Sequence, residues 1–103
     1  MKRDVLLSDP ARADLEKIAD RTRQVWGERQ RKTYLGLFKA CFKALGSMSG
    51  IGRPRADLAE GLRSIMVGRH LVLYEEGARE VHVVRILHVS EDIEHKIGDS
   101  DAE

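Results

Sequence analysis

One segment, residues 61–88, constrains the fold more than any other part of the chain. It contains three short apolar runs that are separated by glycine-containing turns, a pattern typical of β-strands. Between the first two runs, Gly68 and Arg69 form a two-residue loop with glycine first, as a type II′ hairpin turn requires. The segment therefore predicts an antiparallel meander. Its three strands are expected at residues 62–67, 70–75 and 80–89.

Two amphipathic helices are predicted before the meander. A short strand over residues 3–7 ends at Ser8-Asp9-Pro10, which is a typical helix start. Apolar residues then recur every three or four positions up to about residue 26, and again from about 28 to 45. Each helix is expected to bury one apolar stripe. The first stripe includes Val25 and Trp26, and the second includes Leu37 and Cys41 and can extend to Met48. Residues 46–54 are expected to form a loop.

These elements define an α+β fold. Its expected order is an N-terminal strand, an antiparallel helical hairpin, a three-stranded antiparallel meander and a short C-terminal helix that begins near Ser90-Glu91-Asp92. The last strand has apolar residues on both faces, which favours a central position in the sheet. Residues 1–97 are expected to form a single domain, and 98–103 a flexible acidic tail.

Composition and charge restrict the cellular setting. No segment approaches the roughly 18 apolar residues of a membrane helix, and the single cysteine cannot form an internal disulfide. A cytoplasmic protein without membrane association is therefore expected. Residues 1–69 carry 15 Lys or Arg against 8 Asp or Glu, whereas 70–103 carry 3 against 9. The basic half could attract an acidic partner or nucleic acid, or could simply present solvated helix faces.

No catalytic motif is complete. Cys41 lies on an apolar stripe and is predicted to be a core residue. His70 and His88 are expected to approach each other across strands, but no carboxylate or cysteine at ligand spacing accompanies them to bind a metal. No metal site or cofactor is expected. An RNA-cleaving site would require cations together with a general acid and base, and the chain has candidates whose convergence the sequence does not establish. They are Arg63, Arg69, Arg85, His70, His88 and Tyr74.

Seven segments, in this order and spacing, resemble the ParE-type toxins of the RelE/ParE superfamily. They are Leu7-Ser8, Ala13-Asp14-Leu15-Glu16-Lys17-Ile18, Trp26-Gly27-Glu28-Arg29-Gln30, Gly52-Arg53-Pro54-Arg55, Gly61-Leu62-Arg63-Ser64, Val67-Gly68-Arg69-His70-Leu71-Val72-Leu73-Tyr74 and Val84-Arg85-Ile86-Leu87-His88. The resemblance covers nearly the whole chain. It implies a helical hairpin packed on a twisted antiparallel sheet.

The resemblance also implies a function and partners. ParE-like toxins are held to inhibit DNA gyrase, act in plasmid or chromosome stabilisation, and are neutralised by ParD-like antitoxins that wrap a C-terminal helix and arm around the toxin. In such systems the antitoxin binds operator DNA, so no direct DNA binding by the toxin alone is expected. RelE-like relatives instead cut mRNA on the ribosome, and a non-toxic regulatory partner is a third alternative.

One departure from the RelE pattern favours gyrase inhibition over catalysis. RelE-like nucleases place a basic residue just after the last strand, whereas this chain has Glu91 and Asp92, which would repel RNA phosphate. If the chain is a nuclease, the expected catalytic residues are Arg63, Arg69, Arg85, His88 and Tyr74. The expected antitoxin contacts are Leu15, Ile18, Arg63, Ile65, Val72, Tyr74 and Arg85, and the gyrase contacts Arg85, His88 and Glu91.

Overall fold

In the computed structural model, which describes residues 2–91, two helices pack on one face of a five-stranded mixed sheet. The sheet order is β1-β5-β4-β3-β2, with β1 parallel to β5 and the remaining pairs antiparallel. The α+β class, the helical hairpin, the meander and the internal position of its last strand are confirmed. The elements are β1 (Asp4–Leu7), α1 (Asp9–Trp26), α2 (Glu28–Ser47), β2 (Arg53–Pro54), β3 (Leu62–Val67), β4 (His70–Glu76) and β5 (Glu80–His88).

Local sequence features explain where the elements begin and turn. The Ser8 hydroxyl accepts a hydrogen bond from the Ala11 N–H at 3.1 Å, which caps the start of α1. Gly27, with φ at +94°, joins the two helices directly. Gly68 has φ at +57° and no residue other than glycine has positive φ among residues 2–91, which excludes a type I′ turn and agrees with type II′ at Gly68-Arg69.

Three predictions about the elements are wrong. Residues 46–54 are not entirely loop, because Arg53–Pro54 forms β2 and pairs with Ser64 and Arg63 of β3. The apolar stripe of α1 does not stay buried to its end, since Val25 and Trp26 are 58% and 72% exposed beside an open groove. On α2, Leu37 is 49% exposed, and Met48 lies beyond the helix end and is 52% exposed. The predicted C-terminal helix and the tail lie outside the described residues.

The apolar core occupies both faces of the sheet. The larger cluster lies between the sheet and the helices, and Cys41 belongs to it, as predicted. On the other face, the smaller cluster is formed by leucines of β3, β4 and β5 and is covered by Leu58 and Ala59. A bulge leaves Val84 of β5 without a partner on β4, because Arg85 pairs with Leu73 and Val83 pairs with Tyr74. This bulge reverses the alternation along β5, so that His82 and His88 face opposite sides.

Candidate functional site

A groove of about 870 Å³ lies between α1, the start of α2 and the end of β5. We call it the α1–β5 groove. Its walls come from elements that are distant in sequence, so only the folded chain brings them together. The lining residues are Asp14, Lys17, Ile18, Arg21, Thr22, Val25, Trp26, Gln30, Tyr34, Gly68, Arg69, His70, Arg85, Ile86, His88, Ser90 and Glu91.

A carboxylate of α1 closes one side of the groove against β5. Strand β1 pairs with β5 only as far as Val83, so within residues 2–91 no strand lies along the outer edge of β5 beyond that point. Asp14 takes the place of a strand there, because its Oδ2 accepts the Ile86 N–H at 2.9 Å. The same carboxylate accepts two hydrogen bonds from the Arg85 guanidinium, at 2.8 and 3.0 Å.

The pair is mostly shielded from water, with 10% of the Asp14 side chain and 16% of the Arg85 side chain exposed. The hydrogen bonds that Arg85 donates to Asp14 raise the pKa of Arg85 despite its partial burial. Arg85 is thus a fully charged group whose charge is already compensated. It fixes the distance between α1 and β5 at the base of the groove.

Tyr34 and His70 form the floor of the groove near the β3–β4 turn. The Tyr34 hydroxyl lies 2.6 Å from His70 Nδ1, 3.2 Å from the Val67 carbonyl oxygen and 3.3 Å from the Arg69 N–H. It therefore ties α2 to the turn. A side chain at Gly68 would not fit, because an added Cβ would lie 2.6 Å from the Tyr34 ring. Burial, and then the neighbouring His88, lower the pKa of His70, which favours its neutral form.

His88 is held at the end of β5 by the residues that follow it. Its Nδ1 lies 2.7 Å from Ser90 Oγ and accepts the Ser90 N–H at 3.1 Å, and its own N–H donates to Glu91 Oε1 at 3.0 Å. The His70 and His88 rings meet edge to face with centroids 5.2 Å apart, so the predicted approach across strands is confirmed. Within residues 2–91, no group of three side chains is arranged to bind a metal ion.

A second polar cluster lies elsewhere on the chain, and we call it the clasp: Arg3, Gly50, Gly52, Arg63, Tyr74 and Glu76. The fully buried Tyr74 accepts the Gly52 N–H at 2.9 Å, and Arg63 Nη2 donates to the Gly52 carbonyl at 2.6 Å. Glu76 accepts hydrogen bonds from Arg3 at 3.1 Å and from the Gly50 N–H at 2.9 Å. The clasp thereby fastens the loop after α2 to the sheet.

The structure divides the residues that the sequence proposed for catalysis. Arg69, Arg85 and His88 line the groove, whereas Arg63 and Tyr74 belong to the clasp. The three residues expected to contact gyrase, Arg85, His88 and Glu91, all line the groove.

The residues expected to contact an antitoxin are more dispersed. Ile18 and Arg85 line the groove, and Leu15 and Ile65 are partly buried against the core. Val72 and Tyr74 are both fully buried. Contact of either residue with an antitoxin stays a prediction.

Several groove residues were not predicted from the sequence. Tyr34 has no sequence signal beyond its position at the apolar spacing of α2, although its hydroxyl organises the turn. Lys17 and Arg21 were not identified, and their spacing of four residues is the one indication in the sequence that they share a helix face. Cys41 offers no nucleophile, because burial raises the pKa of its thiol to about 11. No helix within the described part of the chain is long and apolar enough to cross a membrane.

Comparisons of the sequence with known proteins point to one family. The family model described as ParE toxin of the type II toxin–antitoxin system parDE matches residues 5–93. Toxin ParE1 of Caulobacter vibrioides is 34% identical over 92 residues, which are 89% of this chain and 95% of that protein. Toxin ParE1 of Mycobacterium tuberculosis is 32% identical over 93 residues, with the same coverage of 89% and 95%.

Solved structures show the same fold. The chain is similar to a chain of the chromosomal ParDE toxin–antitoxin system from P. aeruginosa, with a TM-score of 0.72, 18% identity and coverage of 84% and 96%. It is also similar to a chain of the E. coli DinJ–YafQ toxin–antitoxin complex, with a TM-score of 0.60, 13% identity and coverage of 85% and 93%. At these identities the likeness concerns the backbone architecture alone.

Proposed function

Because the chain belongs to the ParE toxin family of type II toxin–antitoxin systems, we propose that it inhibits DNA gyrase and is neutralised by a ParD-like antitoxin. Both partners act in the cytoplasm, and we place the chain there too. The proposal treats the chain as a binding protein that blocks its target without catalysing a reaction.

The observation that carries this proposal is the composition of the α1–β5 groove. It gathers Arg85, His88 and Glu91 on one wall, held by hydrogen bonds to the protein itself. Groups that are already held in place lose little entropy on binding a partner. The groove is therefore our candidate for the gyrase contact.

The antitoxin is proposed to act by covering the same surface. Ile18 and Arg85 were expected to contact it, and both line the groove. A segment lying along α1 would therefore cover the residues that we assign to gyrase. Inhibition and neutralisation would then compete for one site.

The structure gives less support to the mRNA-cleaving alternative. The Tyr74 hydroxyl is fully buried and Arg63 is bonded to the loop carbonyl of Gly52, so neither is placed beside His88 in the groove. Arg85 is compensated by Asp14, and a carboxylate, Glu91, binds the backbone at His88. Of the five residues expected to cleave mRNA, only Arg69 and His88 therefore lie in the groove without being engaged in the clasp or by Asp14.

The test is a supercoiling assay with purified gyrase and the folded, antitoxin-free chain. We expect supercoiling to be inhibited and gyrase–DNA cleavage complexes to accumulate. Unchanged supercoiling and unchanged cleavage complexes at excess protein would overturn the proposal. In a parallel translation extract with active ribosomes, we expect intact mRNA, and cuts at defined codon positions would establish the nuclease alternative instead.

A further inference from the structure

We propose that the outward face of α2 binds the phosphate backbone of duplex DNA. The contacting residues are Arg29, Lys32, Lys39 and Lys43, which we call the α2 basic stripe. None of the four lines the α1–β5 groove, so this surface is separate from the one assigned to gyrase. The proposal goes beyond gyrase inhibition, and it departs from the expectation that the toxin alone does not bind DNA.

The α2 basic stripe lies on the side of the helix that points away from the core. At about 3.6 residues per turn, residues 29, 32, 39 and 43 fall within an arc of about 80°, opposite the side that buries Phe38. All four residues are exposed. Because a helix rises about 1.5 Å per residue, the stripe extends over about 21 Å.

The stripe carries charge of one sign. The only acid of α2 is Glu28, and its carboxylate already accepts two hydrogen bonds of 2.6 Å from Arg31. No cation of the stripe forms an ion pair within residues 2–91. The other residues of this face are small and uncharged, and they are Thr33, Gly36, Ala40 and Ser47.

The exposed side of α1 differs in this respect. It presents both signs of charge, and Asp20 pairs there with Arg23 at 3.8 Å. On α2, Lys39 and Lys43 are four residues apart, a spacing at which like charges repel and destabilise a helix. A face that keeps this repulsion without an acid to relieve it is suited to a partner that supplies the negative charge.

The uncharged residues of the face favour duplex DNA over other polyanions. A helix that lies on a membrane surface needs a free apolar side, whereas the apolar side of α2 is part of the core. An acidic protein segment would find no apolar anchor on this face. Unpaired nucleotides bind by stacking their bases on aromatic side chains, and this face has none.

A duplex backbone, in contrast, needs only cations within reach of its phosphates. Gly36 lies at the centre of the stripe, and an added Cβ there would meet nothing within 4 Å. The packing of the chain therefore does not require glycine at this position. Its missing side chain leaves room for a backbone to approach the helix closely between the cations.

The test measures the binding of the whole chain to a fluorescently labelled DNA duplex of mixed sequence, by anisotropy at several salt concentrations. Each phosphate contact contributes about −0.9 to the slope of log K against log salt concentration, so four contacts predict about −3.6. In the double variant Lys39→Gln, Lys43→Gln we expect a slope of about −1.8 and weaker binding. Glutamine and lysine have similar helix propensities, so the variant should fold.

The matched control is the double variant Lys17→Gln, Arg21→Gln. It removes two exposed cations at the same spacing of four residues, but from α1 at the groove. Its affinity for the duplex and its salt slope should equal those of the wild-type chain.

The proposal is overturned if the wild-type chain does not bind the duplex at low salt, if the α2 variant keeps the wild-type slope, or if the α1 variant loses as much. It is also overturned if single-stranded DNA, an RNA duplex, polyglutamate or phosphatidylglycerol vesicles bind with the same affinity as the DNA duplex. The assay contains no gyrase, so its result and the supercoiling result can fail independently.

Discussion

The groove and the clasp each combine an arginine, a carboxylate and a tyrosine, but they differ in what remains available to a partner. In the clasp, Tyr74 is fully buried and Arg63 and Glu76 bind the loop after α2. In the groove, Arg85 is paired as tightly, yet Lys17, Arg21 and Arg69 around it stay exposed. The same residue types stabilise the fold in one place and form a binding surface in the other. Packing, rather than residue identity, decides between the two roles.

The largest loss of stability should come from adding a methyl group inside the clasp. In Gly52→Ala the new Cβ would lie 2.8 Å from two ring carbons of Tyr74, and neither residue has room to move, because both are buried. We expect a loss of about 3 kcal/mol in the free energy of unfolding, measured by urea denaturation. The control is Gly36→Ala on the exposed face of α2, where no atom lies within 4 Å of the new Cβ. That change should stabilise the chain by roughly 0.5–1 kcal/mol. A similar loss in both variants would contradict this description of the clasp.

Removing the hydroxyl group of Tyr74 or of Tyr34 should reduce the free energy of unfolding by less than Gly52→Ala does, and the two losses should differ. Tyr74→Phe leaves the buried Gly52 N–H without its acceptor, which should cost about 2 kcal/mol of unfolding free energy. Tyr34→Phe removes a hydroxyl at the groove, where water can replace it, and should cost about 1 kcal/mol. Both values come from urea denaturation at neutral pH. Equal losses, or a larger loss at Tyr34, would mean that the groove is packed as tightly as the clasp.

The two regions should also respond to pH in different windows. Burial tends to raise the pKa of Glu76, but the Gly50 N–H, Arg3 and Arg63 outweigh it and lower the pKa below 4.5. The ionised form is therefore favoured by folding, and this stability is present above pH 4.5 and lost as the pH falls through the folded pKa. Burial and His88 lower the pKa of His70 below 6.5, so its contribution is present above pH 6.5 and lost as the pH falls toward the folded value.

These windows can be measured from the urea midpoint between about pH 8 and about pH 3. Glu76→Gln should flatten the lower part of the profile, and His70→Gln the upper part. If Glu76→Gln flattens the region around pH 6.5, or His70→Gln the region below pH 4.5, the assignment of the windows is wrong.

The smallest effect on stability is expected at the groove rim. Trp26 is 72% exposed, so Trp26→Ala should change the free energy of unfolding by no more than about 0.5 kcal/mol. The measurement is urea denaturation, as for the other variants. A large loss of stability would show that Trp26 belongs to the core, as the periodicity of α1 first predicted.

The sequence predicted those parts of the fold that depend on neighbouring residues. The helix start at Ser8-Asp9-Pro10 and the turn at Gly68-Arg69 are local, because capping and positive φ require particular residues at particular positions. Strand β2 was missed because two residues carry no periodicity, and their pairing with β3 depends on the clasp. The bulge at Val84 could not be predicted, because one extra residue inside a continuous apolar run does not change the sequence pattern.

The candidate site was predictable only in part. Arg69, Arg85 and His88 were identified as chemically capable residues, and the structure brings them into one groove. The partner of Arg85 was not predictable, because Asp14 lies 71 residues away and the pair forms only when α1 lies beside β5. The burial of Tyr74 could not be predicted either, since tyrosine occurs both in protein cores and at surfaces.

The central claim is that the groove is the surface by which this toxin acts. The most direct test compares gyrase inhibition by two matched histidine variants. His82 and His88 lie on the same strand, but His88 lines the groove and His82 faces the other side of the sheet. We expect the wild-type chain and His82→Ala to inhibit supercoiling equally, and His88→Ala to lose inhibition while keeping its unfolding midpoint. Equal inhibition by all three proteins would contradict the claim.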